Sequence, residues 1–208
     1  MQVGKERSFI TMNVKYSFFA LISRMKNITR WSLMRNNTAE NVQEHSHMVA
    51  VIAHALAVIR RDVFGRDADP SLAASLALFH DSSEIFTGDM PTPIKYFDPE
   101  IMDAYKKVEI VASNKLLTTL PTELRPSYES LLSPANDDVY ALVKAADKLA
   151  AYIKCIEEIK TGNPEFRQAA EQCRKKLVSL KMAEVDYYIE NFIPAFELTL
   201  DELDFSFE

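Results

Sequence analysis

Apolar residues along the chain recur mostly at intervals of three and four, the mark of helices with one buried face, and rarely alternate as strand residues do. Phe18, Leu21, Ile22 and Met25 outline a first amphipathic helix beginning near Lys15, which gives way at 27–32 to a loop carrying Arg30 and Trp31. A second helix is expected from about Ala39 to Arg61. The third should start at Asp69-Pro70, where aspartate suits the cap and proline the first turn, and run to about Gly88. Residues 88–93, with their glycine and two prolines, read as a stiff non-helical loop. A fourth helix is expected over Pro99 to Leu120. A looser stretch follows, with a helical piece near Glu129 to Leu132, and then a helix from Val139 to Lys160 capped by Asp137 or Asp138. Gly162-Asn163-Pro164 should break it. A last long segment from Glu165 to Glu197 carries Leu177, Leu180, Val185, Tyr188 and Phe192. The expectation is an all-α, single-domain helical bundle over residues 15–200, with residues 1–14 as an extension and 201–208 as an acidic tail.

Polar residues inside these apolar stretches carry the chemistry. His80-Asp81 closes the run Ser71 to Phe79, and Glu84 follows one turn later. Burying such groups is costly unless they are paired or hold a metal. On a helix, His45 shares a stripe with Val49, Ile52, Leu56 and Ile59 and should point inward, whereas His47 and His54 fall on the far side. His80 continues the stripe of Leu72, Leu76 and Phe79, and Glu84 sits four residues from it and three from Asp81. Asp147, between Val143 and Ala150, has an inward option at the edge of the face formed by Val139, Leu142, Ala146, Leu149 and Ile153. Two imidazoles and two carboxylates suit manganese, iron, cobalt or zinc better than a calcium or thiolate site.

Composition narrows the partners. With 208 residues, 48% of them hydrophobic, the chain can bury one substantial core. A net charge of −6 and a pI near 5.3 argue against a nucleic-acid polymer or an anionic membrane as partner. No apolar stretch is long enough to span a bilayer. Cys155 and Cys173 show no disulfide framework and read as reduced thiols, so a cytoplasmic protein is expected.

The ordered set His45, His80-Asp81 and Asp147 resembles the pattern of the HD-domain metal-dependent phosphohydrolases. Arg30-Trp31, Glu44-His45-Ser46, His80 to Glu84, Gly88 to Thr92 with Pro93 to Phe97, and Lys144 to Asp147 are similar to the YfbR type of bacterial 5′-deoxynucleotidase, over about residues 16–200. The resemblance implies an HD-domain fold and one divalent metal ion, cobalt, manganese or a similar transition metal, held by His45, His80, Asp81 and Asp147. It implies that Glu84 is the general base, that Arg30 orients the phosphate, and that Trp31 packs against the sugar. Asp89 would protonate the departing alkoxide, and Met90, Pro91 and Thr92, with His45, Asp81 and Asp147, would contact substrate. Asp137 and Asp138 read instead as helix caps. The implied reaction releases phosphate from deoxyribonucleoside 5′-monophosphates. Release of triphosphate or pyrophosphate from a nucleotide, and a non-catalytic nucleotide-binding module, are the other readings. A homodimer is implied too, with Tyr187, Tyr188, Phe192 and Phe196 as a hint of its surface.

Overall fold

Side-chain caps decide where the long helices begin. The computed structural model describes residues 15–95, 97–135 and 137–203, apart from the side chains of Thr92 and Pro93; the expected extension 1–14 and the tail end 204–208 lie outside the described residues. Its α-helices are α1 (Phe18–Ile22), α2 (Val42–Val58), α3 (Pro70–Phe79), α4 (Glu84–Thr87), α5 (Thr92–Lys95), α6 (Pro99–Thr118), α7 (Arg125–Leu132), α8 (Asp138–Lys160), α9 (Arg167–Ser179) and α10 (Ala183–Asn191). Asn41 accepts from the Glu44 amide at 3.0 Å while Glu44 accepts from the Asn41 amide at 3.3 Å, a reciprocal box that opens α2. Asp69 and Pro70 open α3, as expected, and of the two candidate caps for α8 it is Asp137 that accepts, from the Tyr140 amide at 2.8 Å.

Among the described residues the fold is all-α, and the only β feature is a bridge between Thr29 and Asn41. The main core lies where α2 packs on α3 and α8. Ile52, Leu56, Leu142 and Leu149 are fully buried there, and Leu177 of α9 and Val185 of α10 close its far side. Each such side chain contributes about 1.5–3 kcal/mol when removed from water. A smaller cluster of Phe18, Leu116, Leu120 and Leu132 sits under Tyr128 and Phe79, whose rings are 5.8 Å apart.

Four expectations needed correction. The third helix stops at Phe79 rather than reaching Gly88. From His80 onward the amides of Ser82, Glu84, Ile85 and Phe86 bond three residues back, and the His80 ring takes the Ala77 carbonyl, so a tight turn replaces the helix until α4. Leu72 is exposed, because the buried face of α3 is Ala73, Leu76 and Ala77. The loop after Gly88 is not wholly irregular, since Thr92 starts the short α5. The segment 165–197 is divided between α9 and α10 by a turn in which Lys181 has φ 52°, unmarked by glycine or proline.

The aromatic run near the C-terminus faces inward. Tyr188 is in the core and Tyr187 and Phe196 pack against it, leaving Phe192 exposed; the apolar side of α10 closes against α2 and α9. No described helix is long and apolar enough to cross a membrane.

Candidate active site

Two irregular segments and two helices converge on the site. The α3–α4 turn supplies His80, Asp81 and Glu84; α2 supplies His45; α8 supplies Asp147; the loop before α2 supplies Arg30, Trp31 and Glu40. The break in helical phase after Phe79 is what aims His80 and Asp81 across α3 toward α2. His45 is fully buried, and His47 and His54 are exposed, as the stripe predicts.

His45, His80 and Asp81 can each offer a donor atom within 4.8 Å of the others. Asp147 falls outside that tight trio but joins the cluster through His45, whose Nε2 lies 3.1 Å from Asp147 Oδ1 and 3.7 Å from Asp81 Oδ2. His80 donates from Nδ1 to the Ala77 carbonyl at 2.7 Å, which leaves its Nε2 as the free ring nitrogen. That Nε2 is 3.1 Å from Asp81 Oδ2, yet it is buried and makes no hydrogen bond; His45 Nδ1 is likewise buried and unpartnered. The orphaned His80 Nε2, on a ring held by a backbone carbonyl, with His45 Nε2 and two carboxylates beside it, makes a donor set that fits a transition-metal cation.

Electrostatics divides Asp81, Asp147, Glu84 and Asp89 into two classes. Burial favours the neutral form at Asp81, but His80, His45 and Arg30 outweigh it and hold that group down at about 2. Asp147 is lowered for the same reasons, burial opposed by His45, His80 and Arg30. Glu84 moves the other way. Burial, with Asp81 and Asp89 nearby, pushes it up to about 10, and its Oε2 is buried with no partner. Asp89 is raised by burial, against the pull of Arg30. Burial alone would lower His80, but Asp81 and Asp147 raise it to about 9. Permanently anionic groups suit cation ligation, and raised carboxyls suit proton transfer.

Arg30, Trp31, Asp89, Met90, Pro91 and Asp147 line one cavity of 1010 Å³, whereas His45, His80, Asp81 and Glu84 are not among its lining residues. Asp147 and Arg30 join the two groups, since Arg30 also reaches Asp81 Oδ2 at 3.4 Å. Thr92 lies in α5, and its expected substrate contact falls on a side chain outside the described residues.

Sequence reasoning passed over Glu40. Its Oε2 accepts from Trp31 Nε1 at 2.8 Å and from Arg30 Nε at 3.3 Å, and its Oε1 is 3.8 Å from His45 Nδ1. Only the Thr29–Asn41 bridge, which pairs the Arg30 amide with the Glu40 carbonyl at 3.0 Å, brings it there. Lys95 also gains a structural place, pairing with Glu109 at 2.9 Å and lying 4.8 Å over the Tyr105 ring, which ties the loop of Asp89 to α6.

Comparison with known proteins places the chain in a family. The sequence model of the family described as 5′-deoxynucleotidase YfbR-like matches residues 17–196. A curated 5′-deoxynucleotidase of Photobacterium profundum is 48% identical over 191 residues, covering 91% of this chain and 98% of that one. Another, from Vibrio cholerae, is 49% identical over 188 residues, with 89% and 97% covered. Among solved structures, an HD-domain phosphohydrolase from Listeria innocua superimposes with a TM-score of 0.76 at 26% identity, covering 86% of this chain and 88% of its own. A helical fold with its paired histidines and aspartates in this arrangement, and relatives this similar along almost their whole length, place the chain in the YfbR-like 5′-deoxynucleotidase family of HD-domain phosphohydrolases.

Proposed function

We propose that this site hydrolyses deoxyribonucleoside 5′-monophosphates to deoxyribonucleosides and phosphate, with His45, His80, Asp81 and Asp147 holding one divalent cation, cobalt, manganese or a similar transition metal. The observation that carries the reading is the division of carboxyls: Asp81 and Asp147 are lowered beside the histidines, whereas Glu84 is pushed up to about 10 and Asp89 is raised by burial. When bound, the cation would neutralise a phosphate oxygen, lower the pKa of water and, by offsetting Asp81, remove part of what, after burial, raises Glu84.

The remaining work belongs to side chains. Arg30, aimed by Glu40 and Asp81, spreads its guanidinium fork across the phosphate oxygens. Glu84, once ionised, takes a proton from the attacking water at its unpartnered Oε2. Asp89, whose carboxyl burial raises, delivers a proton to the departing 5′-oxygen, so that one proton is taken up and one delivered per turnover. Trp31 presents its ring to the sugar, while Met90 and Pro91 line the same cavity from the loop before α5. Preference for deoxyribose follows from the resemblance, as does a homodimer, while a cytoplasmic location follows from the two cysteines read as reduced thiols.

Purified protein supplied with Co²⁺ or Mn²⁺ should release phosphate from dAMP and TMP, and Glu84→Ala should abolish turnover while retaining the metal. Chromatography of products from dGTP beside dGMP separates monophosphate hydrolysis from triphosphate release. Absence of phosphate release from every deoxynucleotide with every cation would sink the proposal.

A further inference from the structure

Trp31 stands in a conformation that bulky residues avoid, with φ 59°. The left-handed region costs a non-glycine residue roughly 1–3 kcal/mol, and it persists only where surrounding contacts over-determine it. Two contacts do so. The ring packs on Phe166 with centroids 5.3 Å apart, and the indole N–H donates to Glu40. The same Glu40 oxygen accepts from Arg30, and the other oxygen faces the buried, unpartnered Nδ1 of His45 at 3.8 Å. Glu40 itself is 16% exposed at its side chain, so these three neighbours enclose most of it.

We propose that Glu40 is the positioning residue of this site: a single carboxylate that aims Arg30 and Trp31 at the substrate and fixes the tautomer of His45. This rests on the function proposed above for Arg30, Trp31 and His45. A carboxylate is acceptor-only, so Oε1 suits a hydrogen on Nδ1, the form His45 needs if Nε2 is to offer its lone pair to a cation shared with Asp81 and Asp147; without a cation, Asp147 Oδ1 at 3.1 Å competes for that hydrogen at Nε2. Glutamine would act differently. Its carbonyl can still accept from Arg30 and Trp31, but its amide nitrogen would then donate to Nδ1 and move the ring hydrogen to Nε2, against the cation.

The test compares full-length wild type, Glu40→Gln and Glu40→Ala by Co²⁺ titration, emission of the one tryptophan, and turnover of TMP. Glu40→Gln should keep the Trp31 emission and the TMP KM near wild type but bind Co²⁺ about 10–100-fold more weakly, the usual cost of losing a partner behind a metal ligand. Glu40→Ala should shift the emission as well and raise KM. Co²⁺ affinity and emission are read without substrate, so they report on Glu40 even if the wild type proves inactive on every deoxynucleotide. Wild-type Co²⁺ affinity in Glu40→Gln would overturn the tautomer role. Unchanged emission and KM in Glu40→Ala would overturn the aiming role, and should that variant fail to fold, Glu40→Gln still decides the first.

Discussion

Removing the carboxylate of Glu158 should loosen the loop that presents Arg30 and Trp31, from more than a hundred residues away in sequence. Glu158 is 1% exposed and fully engaged. Its Oε1 accepts from Lys154 Nζ at 2.5 Å and from the Thr38 amide at 3.0 Å, while Oε2 accepts from the Asn37 amide at 2.9 Å and from Asn163 Nδ2 at 2.8 Å. Lys154 is 5% exposed, so Glu158→Ala leaves an ammonium buried without its counter-ion. Breaking such a pair costs about 3–5 kcal/mol, and in a chain of this size each kcal/mol lowers Tm by about 2–4 °C. Calorimetry should therefore record a drop of roughly 6–20 °C. The double variant Glu158→Leu, Lys154→Met removes both charges at similar volume, and since the Asn37 and Thr38 residues are exposed their amides can turn to water. It should recover about half of the loss or more, because apolar replacement of a buried pair is often neutral. Both variants should raise KM for TMP by freeing the loop at 35–38. A melt of Glu158→Ala within about 2 °C of wild type, or a double variant no better than the single one, would refute the reasoning.

Cation uptake should be linked to protons. His80, raised to about 9, carries a proton at neutral pH that must leave before Nε2 can ligate, so affinity for Co²⁺ should strengthen by up to tenfold per pH unit from pH 6 to 8 and level off above about 9. A Co²⁺ dissociation constant independent of pH in that range would contradict it. Glu84→Gln should reduce kcat on dAMP by about 10²–10⁴-fold with metal content unchanged in plasma emission analysis, the loss expected of a general base. Asp147→Ala should weaken Co²⁺ binding, whereas Asp137→Ala should leave it intact and cost only about 1 kcal/mol in urea denaturation, the value of a helix cap. Equal effects on metal would show that Asp147 is no ligand.

Much of this architecture is legible in the sequence because it rests on local physics. The period of the apolar residues and the caps at Asp69 and Asp137 are short-range properties, and the buried phase of His45 against the exposed His47 and His54 follows from helical geometry within α2. The departure after Phe79 was less visible. Apolar periodicity continues through that stretch, but the Ala77 carbonyl there accepts from both the ring and the amide of His80, a side-chain bond that periodicity does not register. The break at Lys181 has no sequence mark for a similar reason, since a left-handed lysine is tolerated where the packing of α9 and α10 demands a turn.

By itself, then, the sequence determined the helices, the inward histidines and the residue types of a nitrogen and oxygen metal site, because each depends on neighbours within a turn or two. Only the tertiary structure decided which carboxyls are lowered and which are raised, and that Glu40 stands behind three residues of the site. Those depend on burial and on charges brought together from α2, α8, the α3–α4 turn and the Arg30 loop, and electrostatic energies at distances of a few ångströms are set by that convergence rather than by order along the chain.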